Sequence, residues 1–213
     1  MVYLGTFGTL LKLEQEIDVL LESKIIKKYP FDMMLSIPGF AKKIEEFSKE
    51  WCNDSLNILD KMAAEVSPGA NETLFLLPRW KNGMVSIGNY EFIPNNNFKG
   101  IDLKTRAILE SIGYAIRVVD KISKNHNIYF SGGGAQSQIW LDIISIVLQN
   151  NVKTLQYSWE PAGTADIAGR MYWGNTENSR PSYTSKTEFE KYKEIINANY
   201  HKIRGYYHDR NWL

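Results

Sequence analysis

Residues 127–149 read Asn-Ile-Tyr-Phe-Ser-Gly-Gly-Gly-Ala-Gln-Ser-Gln-Ile-Trp-Leu-Asp-Ile-Ile-Ser-Ile-Val-Leu-Gln. The apolar run from Asn127 to Phe130 predicts a short strand, and Ser131-Gly132-Gly133-Gly134 a turn. From about Ser137 to Gln149, Ile139, Ile143, Ile144, Val147 and Leu148 recur three and four apart, the spacing of a helix with one buried side. Strand, glycine turn and helix together form a common nucleotide site: glycines let the backbone approach a ligand, and a helix start favours negative charge. The spacing is neither Gly-x-Gly-x-x-Gly nor a P-loop, since no Lys-Ser or Lys-Thr follows. Three adjacent glycines also cost chain entropy, which sets a ligand-contacting role against the alternative of a flexible connection.

Working outward, Lys153 to Tyr157 predicts another strand and Thr164 to Trp173 a helix of small residues. Its opening, Glu160 to Gly169, suits either close helix packing or the wall of a ligand site. The aromatic-rich tail from Phe189 to Asp209 predicts a last helix. Upstream, Ile108, Ile112, Ala115, Val119 and Ile122 form the stripe of a long helix that Asp102 can cap. Residues 79–100, with Gly83, Gly88, Pro94 and Asn95-Asn96-Asn97, read as a loop with at most one short strand. Thr73 to Leu77 predicts a strand stopped by Pro78. Phe40, Ile44, Phe47 and Trp51, then Leu56, Leu59 and Met62, predict two helices broken at Asn53-Asp54-Ser55.

The first 37 residues hold four strand-like runs, VYL, TLLKL, IDVLL and FDMMLSI. Gly5-Thr6-Phe7-Gly8-Thr9 turns between the first two, either as a plain hairpin or as an anion-binding turn of converging N–H groups and hydroxyls. Strands first, then helix and strand in alternation, is the order of a ribonuclease-H-like α/β domain: a mixed sheet with helices on both faces, here over residues 1–213 as one domain.

The 25 basic and 24 acidic residues give a net charge of +1, no field for nucleic acid or anionic lipid. Hydrophobic residues at 44% exclude a disordered chain, and no apolar run approaches the ~18 residues of a membrane helix. One cysteine, Cys52, excludes a disulfide scaffold and fits a cytoplasmic location. Cys52 reads as core or half-buried. His126, His201 and His208 lack metal-ligand spacing and read as solvated, and the tail aromatics as packing residues.

Four stretches, in order, resemble the C-terminal half of an FGGY-family carbohydrate kinase, of the actin-like, sugar kinase and Hsp70 ATPase superfamily. Leu4-Gly5-Thr6 with Leu10 to Leu13 resembles the second phosphate motif; Leu74 to Pro78 resembles the LFLP strand. Thr105 to Arg117 resembles the RAVLEGIAFALR helix, and Ser131 to Trp140 the adenosine motif SGGGAxSxxW, the most specific of the four. Gly163 to Gly169 falls where the family has a GAALGAA helix beside the adenine pocket. The triple glycine with its tryptophan looks more like xylulose or gluconate kinases than glycerol kinases.

The resemblance implies an actin-like ATPase domain that binds ATP with Mg²⁺ and takes part in phosphoryl transfer to a sugar hydroxyl. It implies nucleotide contacts at Gly5, Thr6, Gly132, Gly133, Gly134, Ala135, Gln136, Ser137 and Gly163. In the family the catalytic aspartate lies shortly before the Gly-Thr hairpin, which begins here at residue 5, so no catalytic residue is assigned. The chain alone is expected to be inactive, taking sugar only with a complementary N-terminal domain, as one chain of a split enzyme or a fragment. Self-association through the face left open is a further expectation. The alternative is a degenerate, non-catalytic actin-like domain kept for nucleotide or partner binding.

Overall fold

The computed structural model describes residues 2–4, 8–13, 31–81, 85–95, 100–119, 128–155, 181–184 and 188–210. In chain order its elements are β1 (Val2–Leu4), β2 (Gly8–Leu13), β3 (Phe31–Ile37), α1 (Phe40–Trp51) and α2 (Leu56–Glu65). Then come β4 (Leu74–Leu76), β5 (Arg79–Lys81), β6 (Val85–Ile87), β7 (Glu91–Ile93) and α3 (Ile101–Val119). β8 (Ile128–Ser131), α4 (Gln138–Leu148), β9 (Val152–Leu155), β10 (Pro181–Thr184) and α5 (Lys193–Asp209) complete it.

Six strands form one mixed sheet in the order β10-β9-β8-β1-β2-β3. β1, β2 and β3 pair antiparallel, with Leu4 opposite Gly8 and Gly8 opposite Ile37. β8 lies parallel to β1 and β9 parallel to β8. Parallel neighbours need a crossover, and α4 supplies it between β8 and β9. This is the three-strand meander running into crossover units that the sequence predicts. β10 is an addition: it pairs antiparallel with β9 from the edge, where Pro181 at its first position costs no ladder bond.

Two differences from the sequence reading lie between residues 73 and 102. The stretch 79–100 holds β5, β6 and β7 rather than at most one strand: β5 pairs with β6, and β7 with β4. Its glycines and asparagines mark the connections, while Phe92 and Tyr90 pack on Phe75 at ring distances of 4.6 and 5.8 Å. Asp102 lies inside the first turn of α3, and the first helical bond runs from the Lys104 N–H to the Gly100 carbonyl at 3.1 Å. The Asp102 side chain folds back into the room that Gly100, lacking a Cβ, leaves. The run IDVLL and the 164–173 helix lie outside the described residues.

The core sits around α3. Residues 105–116 are buried in unbroken succession, so the helix is surrounded rather than presenting a single stripe. Its polar residues are therefore paired: Thr105 Oγ1 donates to the Ile101 carbonyl at 2.8 Å and Ser111 Oγ to the Ile108 carbonyl at 2.6 Å. The Glu110 carboxylate accepts from Arg106 Nε at 2.7 Å and from the Gly69 N–H at 2.8 Å, while Arg106 Nη1 donates to the Ala63 carbonyl at 3.2 Å. α5 closes over this: Asn199 Nδ2 donates to the Gly69 carbonyl at 2.9 Å and Tyr207 Oη accepts from the Leu77 N–H at 3.1 Å. Tyr192, Tyr200 and Tyr206 pack against the same core, in the packing role expected of the tail aromatics, and Cys52 is buried. No described helix is long and apolar enough to cross a membrane.

α3 and α4 meet at Gly113, where an added Cβ would stand 2.9 Å from Val147 Cβ and Cγ1. Alanine gains up to about 1 kcal/mol over glycine inside a helix, but overpacking a tight core costs about 1–3 kcal/mol. The clash wins because Val147 is held by its own helix. Gly113→Ala is expected to lower the chemical-denaturation midpoint by the equivalent of about 1 kcal/mol with the slope unchanged; a raised midpoint would show that the helices move apart freely.

Candidate functional site

The carboxyl end of β8 delivers the chain to the glycine turn. Gly132 has φ 89° and ψ −179°, a conformation open essentially to glycine alone, and it is buried. Gly133–Gln136 form one 3₁₀ turn, closed by the Ala135 N–H on the Gly132 carbonyl at 3.1 Å. Ser137 then caps α4, accepting from the Trp140 N–H at 3.0 Å. Trp140 anchors the far side: its Nε1–H donates to the Leu109 carbonyl of α3 at 2.9 Å, and its ring lies 5.9 Å from Phe40. Backbone conformation, cap and indole together fix where the turn faces.

It faces a cleft of about 190 Å³. Gly133, Gly134, Ser137 and Trp140 form one side. The other is built from α1 and α2, with Phe40, Ile44, Leu56 and Leu59 as apolar lining. Leu56, 51% exposed, stands at the opening. Among the described residues, the polar side chains lining the cleft are Glu45, Asp60 and Ser137, and no lysine, arginine or histidine lines it. Asp60 Oδ2 accepts from Ser137 Oγ–H, which ties α2 to the start of α4. Burial raises the Asp60 carboxyl above its ordinary range, with the Ser137 hydrogen bond opposing.

Of the residues expected at a nucleotide site, Gly132 to Ser137 come together on this turn. Gly133, Gly134 and Ser137 line the cleft, Gly132 and Ala135 are buried beneath it, and Gln136 is exposed. Gly5, Thr6 and Gly163 lie outside the described residues. The register Tyr3↔Ser131 brings the carboxyl end of β1, which leads into Gly5, beside the carboxyl end of β8. Open α/β sheets bind ligands at such strand ends. The sequence reading did not find the α1–α2 wall or Asp60, because helical periodicity marks which side chains are buried but not which of them border an opening.

Set beside solved structures, 98% of the chain matches 45% of xylulose kinase from Rhodospirillum rubrum, at 20% identity and a TM-score of 0.68. For gluconate kinase from Lactobacillus acidophilus the figures are 97% of this chain and 46% of that one, 12% identity and 0.69. For Plasmodium falciparum glycerol kinase with ADP they are 94%, 45%, 14% and 0.65. The chain has a sugar-kinase fold. It spans about half the length of these kinases. No family model matches it, and no curated protein does.

Two outcomes follow for the site as a folded unit. Gly132→Ala places a Cβ at a positive φ and is expected to cost about 1–3 kcal/mol of stability, read from a thermal or denaturant melt; an unchanged melt would mean the turn relaxes without loss. Asp60 has a raised folded-state pKa, so the fold holds its proton more tightly than the unfolded chain. The contribution of Asp60 to stability is therefore greatest below the ordinary aspartate range and falls as pH rises through the raised value. Asp60→Asn is expected to remove that fall: equal to wild type near about pH 4 and at least as stable at neutral pH. A variant less stable at neutral pH than at acid pH, relative to wild type, would reverse the sign.

Proposed function

We propose that this chain is the nucleotide-binding half of an ATP-dependent carbohydrate kinase, equivalent to the C-terminal half of an FGGY enzyme and working with a complementary sugar-binding domain. The observation that carries the reading is the cleft of about 190 Å³ at the carboxyl end of β8, where Gly133 and Gly134 expose backbone to a largely apolar space. The sugar-kinase fold over nearly the whole chain supports it, as does the glycerol kinase neighbour solved with ADP. The purine lies against Gly133 and Gly134 with Phe40 and Leu59 opposite. The phosphates run toward the β1 end of the sheet and the Gly5-Thr6 turn, because among the described residues the cleft offers acceptors and no cation.

In the reaction a sugar hydroxyl oxygen attacks the γ-phosphorus, the bond to ADP breaks, and the hydroxyl proton passes to a base of the complementary half. Positioning of acceptor and phosphate supplies most of the acceleration. Mg²⁺ neutralises phosphate charge when bound. Among the described residues no group of three or more His, Cys, Asp or Glu could hold a metal ion, so no residue of this chain is assigned to it. Magnesium commonly travels with the nucleotide, held by phosphates and water. Xylulose-like pentuloses and gluconate are the favoured acceptors.

Gly133 makes a clean probe, since among the described residues a Cβ there meets no atom within 4 Å beyond its chain neighbours. Gly133→Val is expected to leave the melt close to wild type and to weaken ATP binding at least tenfold, about 1.4 kcal/mol, by calorimetry. Equal affinities would remove the cleft from nucleotide binding. A coupled ADP-release assay over pentuloses, gluconate and glycerol, with and without a separately expressed N-terminal half, tests the activity. Turnover with both halves supports a split kinase; ATP binding without turnover under any pairing favours a non-catalytic actin-like domain.

A further inference from the structure

Helix α4 runs between two openings. Ser137 caps its start beside the glycine turn, and Gln149 ends it about 18 Å away. At that far end lies a second cleft of about 190 Å³. One side is the turn Gln149-Asn150-Asn151, and the other is the entry to the last helix at Phe189, Glu190 and Lys193. We propose that this cleft binds a small neutral polyhydroxyl compound, a sugar or a sugar alcohol. It shares no lining residue with the cleft at the glycine turn, so the proposal stands apart from the nucleotide reading above.

Three consecutive side-chain amides decide the chemistry. An amide both donates and accepts, as a hydroxyl does, so a row of amides complements a row of hydroxyls. Gln149 has φ 52°, a place that glycine or asparagine usually fills, and its Nε2 donates to Asn197 Oδ1 at 3.1 Å. Among the described residues, Gln149 Oε1 and the Asn151 side chain make no hydrogen bond. The Asn150 carbonyl accepts from Ser145 Oγ at 2.9 Å, which holds the turn against α4. Other ligand classes fit less well. Lys193 Nζ pairs with Glu190 Oε2 at 3.0 Å, so the charges lining the cleft cancel, and a metal ion would find a single carboxylate. Arg117, behind Asn197, spends its guanidinium on Asn197 Oδ1 at 2.9 Å and on the Val147 carbonyl at 3.1 Å, against the negative end of α4. An anion therefore gains little here. A wholly apolar ligand would strand the amides without partners. The half-buried Phe189 ring supplies the apolar surface that the C–H face of a sugar covers.

The experiment titrates xylitol, D-xylose and inorganic phosphate into the isotope-labelled chain and follows backbone and side-chain amide signals by NMR. Xylitol or D-xylose is expected to give saturable shifts with a millimolar midpoint, confined to residues 149–151 and 189–193, while phosphate gives none there. Asn151→Ala removes an exposed side chain with no bond in the fold, so its melt should match wild type. Its affinity for the polyol should fall at least about threefold, the loss of one hydrogen bond. Phe189→Leu should weaken binding similarly and carries the test if the alanine variant does not fold. Gly133→Val should bind the polyol as wild type does. Shifts that rise without saturating, or that spread over the whole surface, would be a solvent effect and overturn the proposal. Saturable binding of phosphate at these residues would overturn it, as would full polyol affinity in both cleft variants. Loss of polyol binding in Gly133→Val would place the sugar at the glycine turn and overturn it too. None of these outcomes depends on whether the chain binds ATP.

Discussion

The Glu110 carboxylate, fully buried, is the constraint on which the arrangement of helices depends. Its partners are Arg106, 3% exposed, one turn earlier on α3, and the N–H of Gly69, in the turn after α2. The same Gly69 offers its carbonyl to Asn199 of α5, and Arg106 reaches back to the Ala63 carbonyl at the end of α2. A buried ion pair contributes little net stability against an apolar replacement, since desolvation offsets the attraction. Losing one partner, however, leaves a charge stranded in the core at a cost of about 3–5 kcal/mol. The pair therefore acts as a latch: α2, the 69 turn, α3 and α5 hold one mutual position in which the two charges meet and share the Gly69 N–H and the Ala63 carbonyl.

That latch matters to the cleft because α2 carries one of its walls. Leu59 and Asp60 precede Ala63 by one turn, so fixing the Ala63 carbonyl to Arg106 fixes their height above α3. The opposite wall hangs on α3 as well, through Trp140 Nε1 on the Leu109 carbonyl. Both sides of the opening are thus referred to neighbouring residues of a single buried helix, Arg106 and Leu109. The Ser137–Asp60 hydrogen bond then joins the two walls directly. A site positioned this way needs little reordering when a ligand enters, and the saving in entropy goes into affinity.

The sheet and the helices around it were largely legible because local rules carry them. Short apolar runs bounded by polar and turn residues predict β1, β2, β3 and β8, and three-four spacing predicts α1, α2, α3 and α4. Ser55, placed before an apolar helix, does cap α2, accepting from the Ile58 N–H at 3.4 Å. What stayed hidden was set by tertiary partners. β5, β6 and β7 are three-residue strands whose existence depends on each other and on β4, and turn-forming residues crowd the sequence between them. The all-round burial of α3 could not be read from a stripe, because Arg106 and Glu110 look like an exposed face until Gly69 and Ala63 are brought to them. At the site, the glycine turn announced itself by composition, whereas Asp60 is one acid among 24 acidic residues and becomes distinctive only through the cleft it borders.

Charge explains why the two halves of a nucleotide would part company here. A triphosphate needs cations or converging N–H groups, and the cleft beside Gly133 supplies acceptors in an apolar surround. On the proposed reading the base end would enter, and Asp60 and Glu45 would turn the phosphate end outward. The β1–β8 register gives that outward direction a destination, since it aligns the carboxyl ends of the two parallel strands. On the proposed reading, a ligand apolar at one end and anionic at the other would be oriented before any contact to its phosphates is made. On that reading the reacting end would be turned away from α1 and α2 and toward the carboxyl ends of β1 and β8.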